Sequence, residues 1–338
     1  MKIDIVINTD DNYIQHAMAM LCSLYEHNVN NKIVLHVLTH NLSDINCTCI
    51  KELSEKYGHS IVVYNVNEDP LDGVQFRNKR PLTKAAYYRL LLSSIIDNSI
   101  DKILYLDCDM IVLGDVSQLF LLDLNDFALA ATADYMPSND EHRQQLNLEF
   151  DERTFCSGIM LVNLKYWRDN NCEKELLTFA KKHREPVYLH DQDVLNHVFR
   201  KKWFRLPPKW NRIIFNIVPG GSIIGYRRKD INEYYHQPII IHYANKVKPW
   251  YNMWMPMRGY YRKYLKKSGY QKITFKTISI KERISLNYTI CRYLYKYYIL
   301  PFIPQSLFIM VHDVFNLIGL FFQPAKIRDK YYYHKMGL

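Results

Sequence analysis

Two aspartates, Asp107 and Asp109, are the residues of this sequence best suited to chemistry, and they follow the apolar run 103–106. Such a run is typical of a strand that is buried on both faces. In an extended chain, residues two apart point to the same side, so both carboxylates face one way and Cys108 faces the other. Two carboxylates this close repel each other unless a cation or a shared proton lies between them. We therefore expect a divalent cation, Mg²⁺ or Mn²⁺, which prefers oxygen ligands. The alternative is that one aspartate caps the next turn and the other is solvated.

The elements that must position this pair alternate between strand and helix. The patterns predict strands over 3–8, 33–38 and 61–64, and helices over 14–27 and 44–57. This alternation predicts an α/β fold with a mainly parallel sheet and right-handed connections. In such sheets, ligands bind beyond the carboxyl ends of the strands. Asp10, Asp11 and Asn12 follow the first strand as Asp107 and Asp109 follow a later one, so both groups are expected at one sheet edge.

Two further charged residues lie near the predicted edge. Arg89 belongs to a helix that starts near residue 83, and it either pairs with an acidic strand end or a phosphate or remains a surface cation. Asp134 follows the apolar run 127–133. Residues 135–154 are polar without a clear pattern, so we interpret them as a loop-rich insertion beside the site, where specificity often resides.

Later motifs supply more candidates. Ser157 and Gly158 open a strand, and the glycine either lets backbone approach a ligand or marks a bulge. The triplet 191–193 (Asp-Gln-Asp) opens a helix, where it either caps the helix or binds a ligand. His242 ends an apolar run. Beside the two aspartates its nitrogen would favour Mn²⁺ over Mg²⁺, and the alternative is a core histidine with hydrogen-bond partners.

Nucleotide-binding glycine motifs do not occur in the sequence. No Gly-x-Gly-x-x-Gly follows the first strand, and no Walker A motif is present. A phosphate ligand would therefore be held by a metal ion and cationic side chains.

Charge is unevenly distributed along the 338 residues, whose net charge is +10. Residues 259–338 contain 14 Lys and Arg against 3 Asp and Glu. In residues 280–298 the apolar side chains are spaced to form one face of a helix, basic side chains form the opposite face, and tyrosines are frequent. This pattern predicts a helix that lies in the interface of an anionic membrane. The more apolar stretch 307–322 is shorter than the roughly 20 residues that span a bilayer. The alternatives for the tail are a spanning helix or packing on the catalytic domain or a partner. No nucleic-acid recognition motif is present.

The division of the chain follows from this charge pattern. We expect a catalytic domain over 1–258 and a basic, aromatic, membrane-associating region over 259–338. The seven cysteines are scattered without a Cys-x-x-Cys pair, and the first residues lack a signal peptide's apolar segment. These features favour a reducing, cytoplasmic location.

Five motifs, in this order, resemble those of the family 8 glycosyltransferases, retaining enzymes of GT-A fold that include bacterial lipopolysaccharide and capsule hexosyltransferases. They are Asp10-Asp11-Asn12-Tyr13, Tyr105-Leu106-Asp107-Cys108-Asp109, Ser157-Gly158 with Asn163-Leu164-Lys165 and Trp167, Asp191-Gln192-Asp193, and His242-Tyr243 with Lys248-Pro249-Trp250. The resemblance covers about residues 1–255. It implies a Rossmann-like sheet flanked by helices and a UDP-hexose donor.

The resemblance also implies roles for single residues. The nucleoside would contact Asn8, Thr9, Asp10 and Asn12, and Mn²⁺ or Mg²⁺ would bind Asp107, Asp109 and His242. Lys248 would contact the diphosphate. The donor sugar would contact Arg89, Asp191 and Gln192, and the acceptor would contact Asp134. Cys108, Ser157 and Asn245 would complete the substrate-binding set, and Asp191, Gln192 and Asp193 are the catalytic candidates. The sequence departs from the family's pattern at two positions that bear on the identity of the donor. Cys156 stands where the family usually has Asn, and Asn245 stands where it usually has Gly.

The expected reaction moves galactose or glucose to a lipopolysaccharide, capsule or other lipid-linked glycan, at the inner face of the cell membrane. Carboxylates such as Asp191 or Asp193 would favour the positive character that the sugar develops. The anomeric configuration would be retained either through a covalent intermediate or by same-face substitution. Because the amide of Gln192 is a poor nucleophile, we favour same-face substitution. The rival functions are a haloacid-dehalogenase-like phosphatase, disfavoured by Ile111 and the late position of the motif, and a non-catalytic membrane scaffold. The oligomeric state stays open.

Overall fold

The computed structural model describes residues 1–74, 84–134, 140–149, 152–182, 191–214, 226–244, 248–251 and 255–273, with single positions between 280 and 291. In this part of the chain the strands are β1 (Lys2–Asn8), β2 (Lys32–Thr39), β3 (Ser60–Asn65), β4 (Lys102–Leu106), β5 (Met110–Val112), β6 (Leu129–Ala133), β7 (Phe155–Asn163), β8 (Trp203–Arg205), β9 (Arg212–Ile213) and β10 (Ile240–His242). The first four predicted strands are confirmed to within one residue at each end.

The α-helices of the described residues are α1 (Ile14–His27), α2 (Asp44–Lys56), α3 (Leu92–Ile95), α4 (Ser117–Phe120), α5 (Asp140–Gln145), α6 (Leu164–Asp169), α7 (Cys172–Lys182), α8 (Asp191–Val198), α9 (Arg228–His236) and α10 (Arg258–Ser268). The helix predicted around Arg89 is a 3₁₀ helix, Lys84–Leu91, that continues into α3. The predicted insertion between β6 and β7 contains α5.

Seven strands form the main sheet, in the order β3–β2–β1–β4–β7–β6–β8. β1 pairs in parallel with β2 and β4, and β6 pairs in parallel with β8. This confirms the predicted α/β fold with a mainly parallel sheet. β7 is antiparallel to both of its neighbours, β4 and β6. The first residues of β7 therefore lie at the same edge as the carboxyl ends of β4 and β6.

A second, three-stranded sheet has the order β5–β10–β9. β10 is antiparallel to β5, with His242 opposite Met110, and parallel to β9. Because β5 begins one residue after Asp109, the chain passes from the main sheet to the second sheet through the three residues 107–109. The apolar run that ends in His242 is therefore a buried strand, β10, of this second sheet.

The core on one face of the main sheet packs strand side chains against the short helices that follow. Val6, Ile103 and Met160 contribute from the sheet, and Leu91 and Trp167 from the covering helices, all of them fully buried or nearly so. This layer holds the 3₁₀ helix that carries Arg89 and the helix α8 that carries the triplet 191–193. Burial of these apolar side chains away from water is the main contribution to the stability of the layer.

Helix α10 packs on α1 through polar contacts between tyrosines and histidines. The Tyr261 hydroxyl lies 2.7 Å from Nδ1 of His16, and the Tyr264 hydroxyl lies 2.9 Å from Nε2 of His27. Residues 259–273 thus form one compact unit with residues 1–214 and 222–244. The predicted division of the chain at residue 258 stays a prediction.

The tail beyond Ile273 is described at six positions between 280 and 291, and all six are helical. The predicted segment 307–322 lies outside the described residues. Within the described part of the chain, none of the helices has the length and hydrophobicity that a membrane crossing requires.

Candidate functional site

Polar side chains gather where β1, β4 and β6 end and β7 begins. β4 is followed by Asp107, and β6 is followed by Asp134. The Asp107 amide donates to the Gly158 carbonyl (2.9 Å), and the Asp134 amide donates to the Thr154 carbonyl (2.8 Å). Antiparallel β7 therefore brings Ser157 and Gly158 to the same edge as the two aspartates.

Asp107, Asp109 and His242 form a cluster in which one ligand atom from each lies within 4.8 Å of the others. Nε2 of His242 lies 3.3 Å from Oδ1 of Asp109 and 3.8 Å from Oδ2 of Asp107. The family resemblance predicted that these three residues come together, although His242 is far from the aspartates along the chain. The structure brings them together because β10 pairs with β5, directly after Asp109.

Asn211 orients the imidazole. Nδ1 of His242 donates to Oδ1 of Asn211 at 3.0 Å, and Asn211 is fully buried. An amide oxygen can only accept, so Nδ1 carries a proton and Nε2 faces the aspartates. A histidine that donates from one ring nitrogen and presents the other is the usual arrangement of a metal ligand.

Gly158 provides the space for the cluster. A Cβ atom at this position would lie 2.4 Å from Cε1 of His242 and 2.8 Å from Oδ2 of Asp107. Both separations are shorter than van der Waals contact, so only glycine leaves the imidazole and the carboxylate in place. The glycine was expected to mark either close approach to a ligand or a bulge; here it permits close approach of two candidate ligand side chains.

The donor set fits a divalent metal ion. In octahedral coordination with bonds of 2.0–2.1 Å, neighbouring ligand atoms lie about 3 Å apart, close to the 3.3 Å between Nε2 and Oδ1 of Asp109. Two carboxylate oxygens and one imidazole nitrogen suit Mn²⁺ and related ions. These three side chains could therefore hold such an ion with only small movements.

The charge of His242 depends on its acidic neighbours. Burial works against protonation of the imidazole, but the Asp109 carboxylate, with hydrogen bonds to Asp109 and Cys156, raises the pKa of His242 to about 10. Without a metal ion the ring is therefore protonated at neutral pH, and its positive charge compensates the two carboxylates. A metal ion must displace this proton in order to bind Nε2.

Mn²⁺ affinity is therefore expected to increase as the pH is raised from 7 to 9, by up to about tenfold per unit. The sign follows from the raised pKa: below about 10 the proton competes with the metal, and the competition weakens as pH rises. Free Mn²⁺ measured by electron paramagnetic resonance tests this. His242→Gln lacks the titrating ring, so it should bind Mn²⁺ more weakly with a flat pH dependence. The same affinity at pH 7 and pH 9 in the unmodified protein would contradict the expectation.

Arg89 is buried beside the cluster and holds three neighbours in place. Its guanidinium donates to Oδ1 of Asp107 (2.9 Å), pairs with Oδ2 of Asp191 (3.1 Å) and donates to the Ser157 carbonyl (2.9 Å). It also stacks on the Tyr105 ring at 4.4 Å. Burial opposes its charge, but the two carboxylates raise the pKa of Arg89, so it stays protonated. Arg89 thus pairs with an acidic strand end, as one of the two interpretations expected, and its contact with a donor sugar stays a prediction.

The triplet 191–193 opens α8, and each of its side chains contacts a different element. Asp191 pairs with Arg89. Gln192 donates to Oδ2 of Asp134 (2.7 Å) and accepts from the Ser157 amide (3.1 Å). Oδ1 of Asp193 lies 2.8 Å from Nε2 of His142. These contacts exceed what helix capping requires.

Ionisation of Asp191 is tuned by its surroundings. Burial raises the pKa of Asp191 to about 6, although the Arg89 guanidinium opposes the rise. The carboxylate is therefore mostly ionised at neutral pH and becomes protonated in mild acid. Its negative charge lies beside the Asp107 carboxylate and is partly compensated by Arg89.

The predicted nucleoside residues lie at the end of β1. Asp10 accepts from the backbone amides of Asn12 (3.0 Å) and Tyr13 (2.9 Å), so its carboxylate caps the turn before α1. Asn8 donates to the Ala85 carbonyl, and the Cys108 thiol donates to the Asn8 carbonyl, both at 3.0 Å. Cys108 therefore points away from the aspartates, as its position between them predicted, and burial raises the pKa of its thiol.

The structure does not test the roles expected of two further residues, Lys248 and Asn245. Lys248 belongs to a second compact unit, in which its ammonium lies 5.7 Å from the Trp250 ring centroid. Asn245 lies outside the described residues. Their roles toward a diphosphate or a donor stay predictions.

The structure gives a contact in the site to three residues to which sequence reasoning assigned no role. They are Tyr105, whose hydroxyl donates to Asp107 at 3.0 Å, Asn211 and His142. Tyr105 could have been found, because it faces the same side of β4 as Asp107. No local pattern marks Asn211 or His142, since each acquires its partner through long-range packing.

Comparisons with known proteins agree with this geometry. The model of the family described as Glycosyl transferase family 8 matches residues 4–253. The chain is 31% identical over 269 residues to General stress protein A of Bacillus subtilis (strain 168), covering 77% of this chain and 92% of that protein. It is 28% identical over 255 residues to a Lipopolysaccharide 1,2-glucosyltransferase of Escherichia coli, covering 72% of this chain and 71% of that protein.

A solved structure shares the fold. The galactosyltransferase LgtC, in complex with donor and acceptor sugar analogs, has a TM-score of 0.71 and 24% identity to this chain. The match covers 83% of this chain and 99% of that one. This likeness confirms the predicted GT-A fold.

Proposed function

The chain belongs to glycosyl transferase family 8, and from this premise we propose that it is a retaining transferase that moves galactose or glucose from a UDP-sugar to a glycan acceptor. The observation that carries the proposal is the cluster of Asp107, Asp109 and His242 beside Arg89 and the first turn of α8. Membership of this family of transferases removes the phosphatase alternative. The scaffold alternative is tested below.

Asp107, Asp109 and His242 would hold a divalent ion, Mn²⁺ or, less well matched to the nitrogen ligand, Mg²⁺. When bound, the ion supplies Lewis-acid stabilisation of the negative charge that the departing UDP acquires. Asn211 supports this role by fixing the imidazole tautomer that presents Nε2. Lys248 is proposed to add positive charge near the diphosphate.

Arg89 and Asp191 are proposed to form the wall of the donor-sugar site. Arg89 fixes the Asp191 carboxylate and the Ser157 backbone with bonds of 2.9–3.1 Å. The Asp191 carboxylate, with its pKa of about 6, is mostly ionised at neutral pH and would favour positive charge on the sugar ring. Gln192, fixed between Asp134 and Ser157, would lie nearest the anomeric carbon.

Retention is proposed to proceed by same-face substitution. A double displacement requires a carboxylate nucleophile against the sugar ring. Of the three catalytic candidates, Asp193 is fully buried against His142, and Asp191 is engaged by Arg89. The remaining one, Gln192, is an amide and a poor nucleophile. This arrangement supports attack of the acceptor from the face that the diphosphate leaves.

We propose that the nucleoside binds to Asn8, Thr9, Asp10 and Asn12. Cys108, whose thiol donates to the Asn8 carbonyl, would complete this part of the substrate site. Asp134, which follows β6 and accepts a hydrogen bond from the Gln192 amide, would face the acceptor. The Escherichia coli relative is named as a lipopolysaccharide glucosyltransferase. This supports a lipopolysaccharide, capsule or other lipid-linked glycan as the acceptor class.

With a lipid-linked acceptor, the transfer reaction would take place at the inner face of the cell membrane. Ile280 and Ile284 lie one helical turn apart in the basic tail and are 78% and 45% exposed. Exposed apolar side chains within a basic segment are typical of a helix that binds an anionic membrane surface. We therefore propose that residues beyond 273 attach the enzyme peripherally.

A chain truncated after Ile273 is expected to lose binding to vesicles of phosphatidylglycerol while it continues to release UDP from the donor. The cut spares α10, whose Tyr261 and Tyr264 are buried on α1; a cut after Arg258 would remove both. Sedimentation with phosphatidylglycerol and phosphatidylcholine vesicles measures the attachment. Continued sedimentation of the truncated chain with anionic vesicles would refute the role of the tail.

The proposed reaction is tested by incubating the purified chain with a panel of UDP-sugars, Mn²⁺ and a glycan acceptor. UDP release measures turnover, and proton NMR of the product gives the anomeric configuration. Release from UDP-galactose or UDP-glucose with an α-linked product supports the proposal. No release with any donor would favour a non-catalytic scaffold, and a β-linked product would contradict retention.

A further inference from the structure

The first turn of α8 is held at three points by three different segments. Asp191 is held by Arg89 of the 3₁₀ helix, and Gln192 by Asp134 at the end of β6. The third point is Asp193, held by His142 of α5. Three attachments on consecutive residues leave the turn little freedom to rotate or shift.

The pair of Asp193 and His142 is a buried one. The Asp193 side chain is about 1% exposed and that of His142 about 6%, and their bond is 2.8 Å long. A carboxylate removed from water at this depth needs a hydrogen-bonding partner. The bond to His142 is such a partner, and it ties Asp193 to α5.

The connection between β6 and β7, which contains α5, leaves and rejoins the sheet at the edge where the site lies. Ala133 pairs with Phe155, so the residues between β6 and β7 form an excursion whose two ends lie beside Asp134 and Ser157. The residues after α5 make further contacts nearer the other end of α8 and beyond it. The Leu146 carbonyl lies 3.2 Å from Nδ1 of His197 in α8, and Glu149 pairs with Lys201, which follows α8, at 2.7 Å. His142 thus supplies the attachment at the catalytic end of the helix.

We propose that His142 is a positioning residue of the transferase, which acts through Asp193 to hold the first turn of α8. The inference rests on the proposed function, since its object is the placement of Gln192 and Asp191. Without the His142 bond, the buried Asp193 carboxylate loses one of its hydrogen bonds and its tie to α5, so the first turn of α8, with Asp191 and Gln192, is held less firmly. A displacement of about 1 Å at a reacting centre can cost about 100-fold in rate.

Two substitutions of similar character separate this role from general packing. His142→Gln places an amide nitrogen near the position of Nε2 and can still donate to Asp193. His142→Asn is equally polar but reaches only to the position of Nδ1, so the bond is lost. Both are compared with the unmodified full-length chain in UDP release with Mn²⁺, and calorimetric binding of UDP with Mn²⁺ confirms that each variant is folded.

The expected kcat of His142→Asn is about 30-fold lower, with the KM for the UDP-hexose and the affinity for UDP changed by less than about threefold. The expected kcat of His142→Gln lies within about threefold of the unmodified chain.

Equal kcat values for His142→Asn and the unmodified chain would overturn the inference, as would an equal loss in both variants with UDP binding intact. If His142→Asn does not fold, His142→Gln decides alone: a loss above tenfold with intact UDP binding overturns the role. An inactive unmodified chain would instead overturn the proposed function, and this inference with it.

Discussion

Asp109→Asn is expected to lower turnover by about 1000-fold or more while the fold stays intact. The change replaces one of two carboxylates in the metal cluster with a neutral amide, a weaker ligand for Mn²⁺. Removing an interaction that stabilises charge in the transition state costs several kcal/mol, and about 4 kcal/mol corresponds to 1000-fold. The affinity for Mn²⁺ should fall together with turnover.

The fold should tolerate Asp109→Asn because the amide is nearly isosteric with the carboxylate. The Asp109 backbone carbonyl, which accepts from the Tyr243 amide at 3.0 Å, is unchanged. Asp169→Asn is a matched control, because Asp169 forms an exposed pair with Lys165, and such pairs contribute little. UDP release and thermal unfolding measure both variants. Full activity of Asp109→Asn would remove Asp109 from the proposed site.

Gly158→Ala is expected to weaken Mn²⁺ binding and turnover by about 100-fold. The added methyl group would lie 2.4 Å from the His242 ring and 2.8 Å from an Asp107 oxygen. The ring cannot retreat easily, since it is buried and bonded to Asn211. One of the candidate ligands must therefore move by about 1 Å, and shifts of this size carry penalties of this order.

The control for this substitution is Gly259→Ala, because a Cβ atom at Gly259 would meet no atom within 4 Å. Both variants gain one methyl group, but only the one at position 158 enters the cluster. Mn²⁺ titration and UDP release under the same conditions measure the effect. Normal Mn²⁺ affinity in Gly158→Ala would show that His242 and Asp107 are not held as ligands in the arrangement described.

Much of the architecture could be predicted from local patterns. The apolar runs predicted β1 to β4, and the two-residue period of a strand predicted that Cys108 points away from the flanking carboxylates. Its thiol indeed contacts the Asn8 carbonyl. The mainly parallel sheet followed from the alternation of strands and helices, because parallel neighbours need a crossover between them.

The rest depended on pairing between distant segments. The reversed direction of β7 is not encoded in its apolar pattern, which is compatible with either orientation. His242 was correctly associated with the aspartates by family resemblance, but its place in a second sheet arises from the register of β10 on β5. Asn211 reaches His242 through the pairing of β9 with β10. No pattern within the polar residues 135–154 marks His142 as the partner of Asp193.

The central claim is that Asp107, Asp109 and His242 bind a metal ion that holds the diphosphate of a UDP-sugar. Calorimetric titration of UDP into the full-length chain, with and without Mn²⁺, tests it most directly. We expect UDP affinity at least about tenfold higher with Mn²⁺, a difference of about 1.4 kcal/mol, and loss of this difference in Asp109→Asn. Equal UDP affinity in the presence and absence of Mn²⁺ would contradict it.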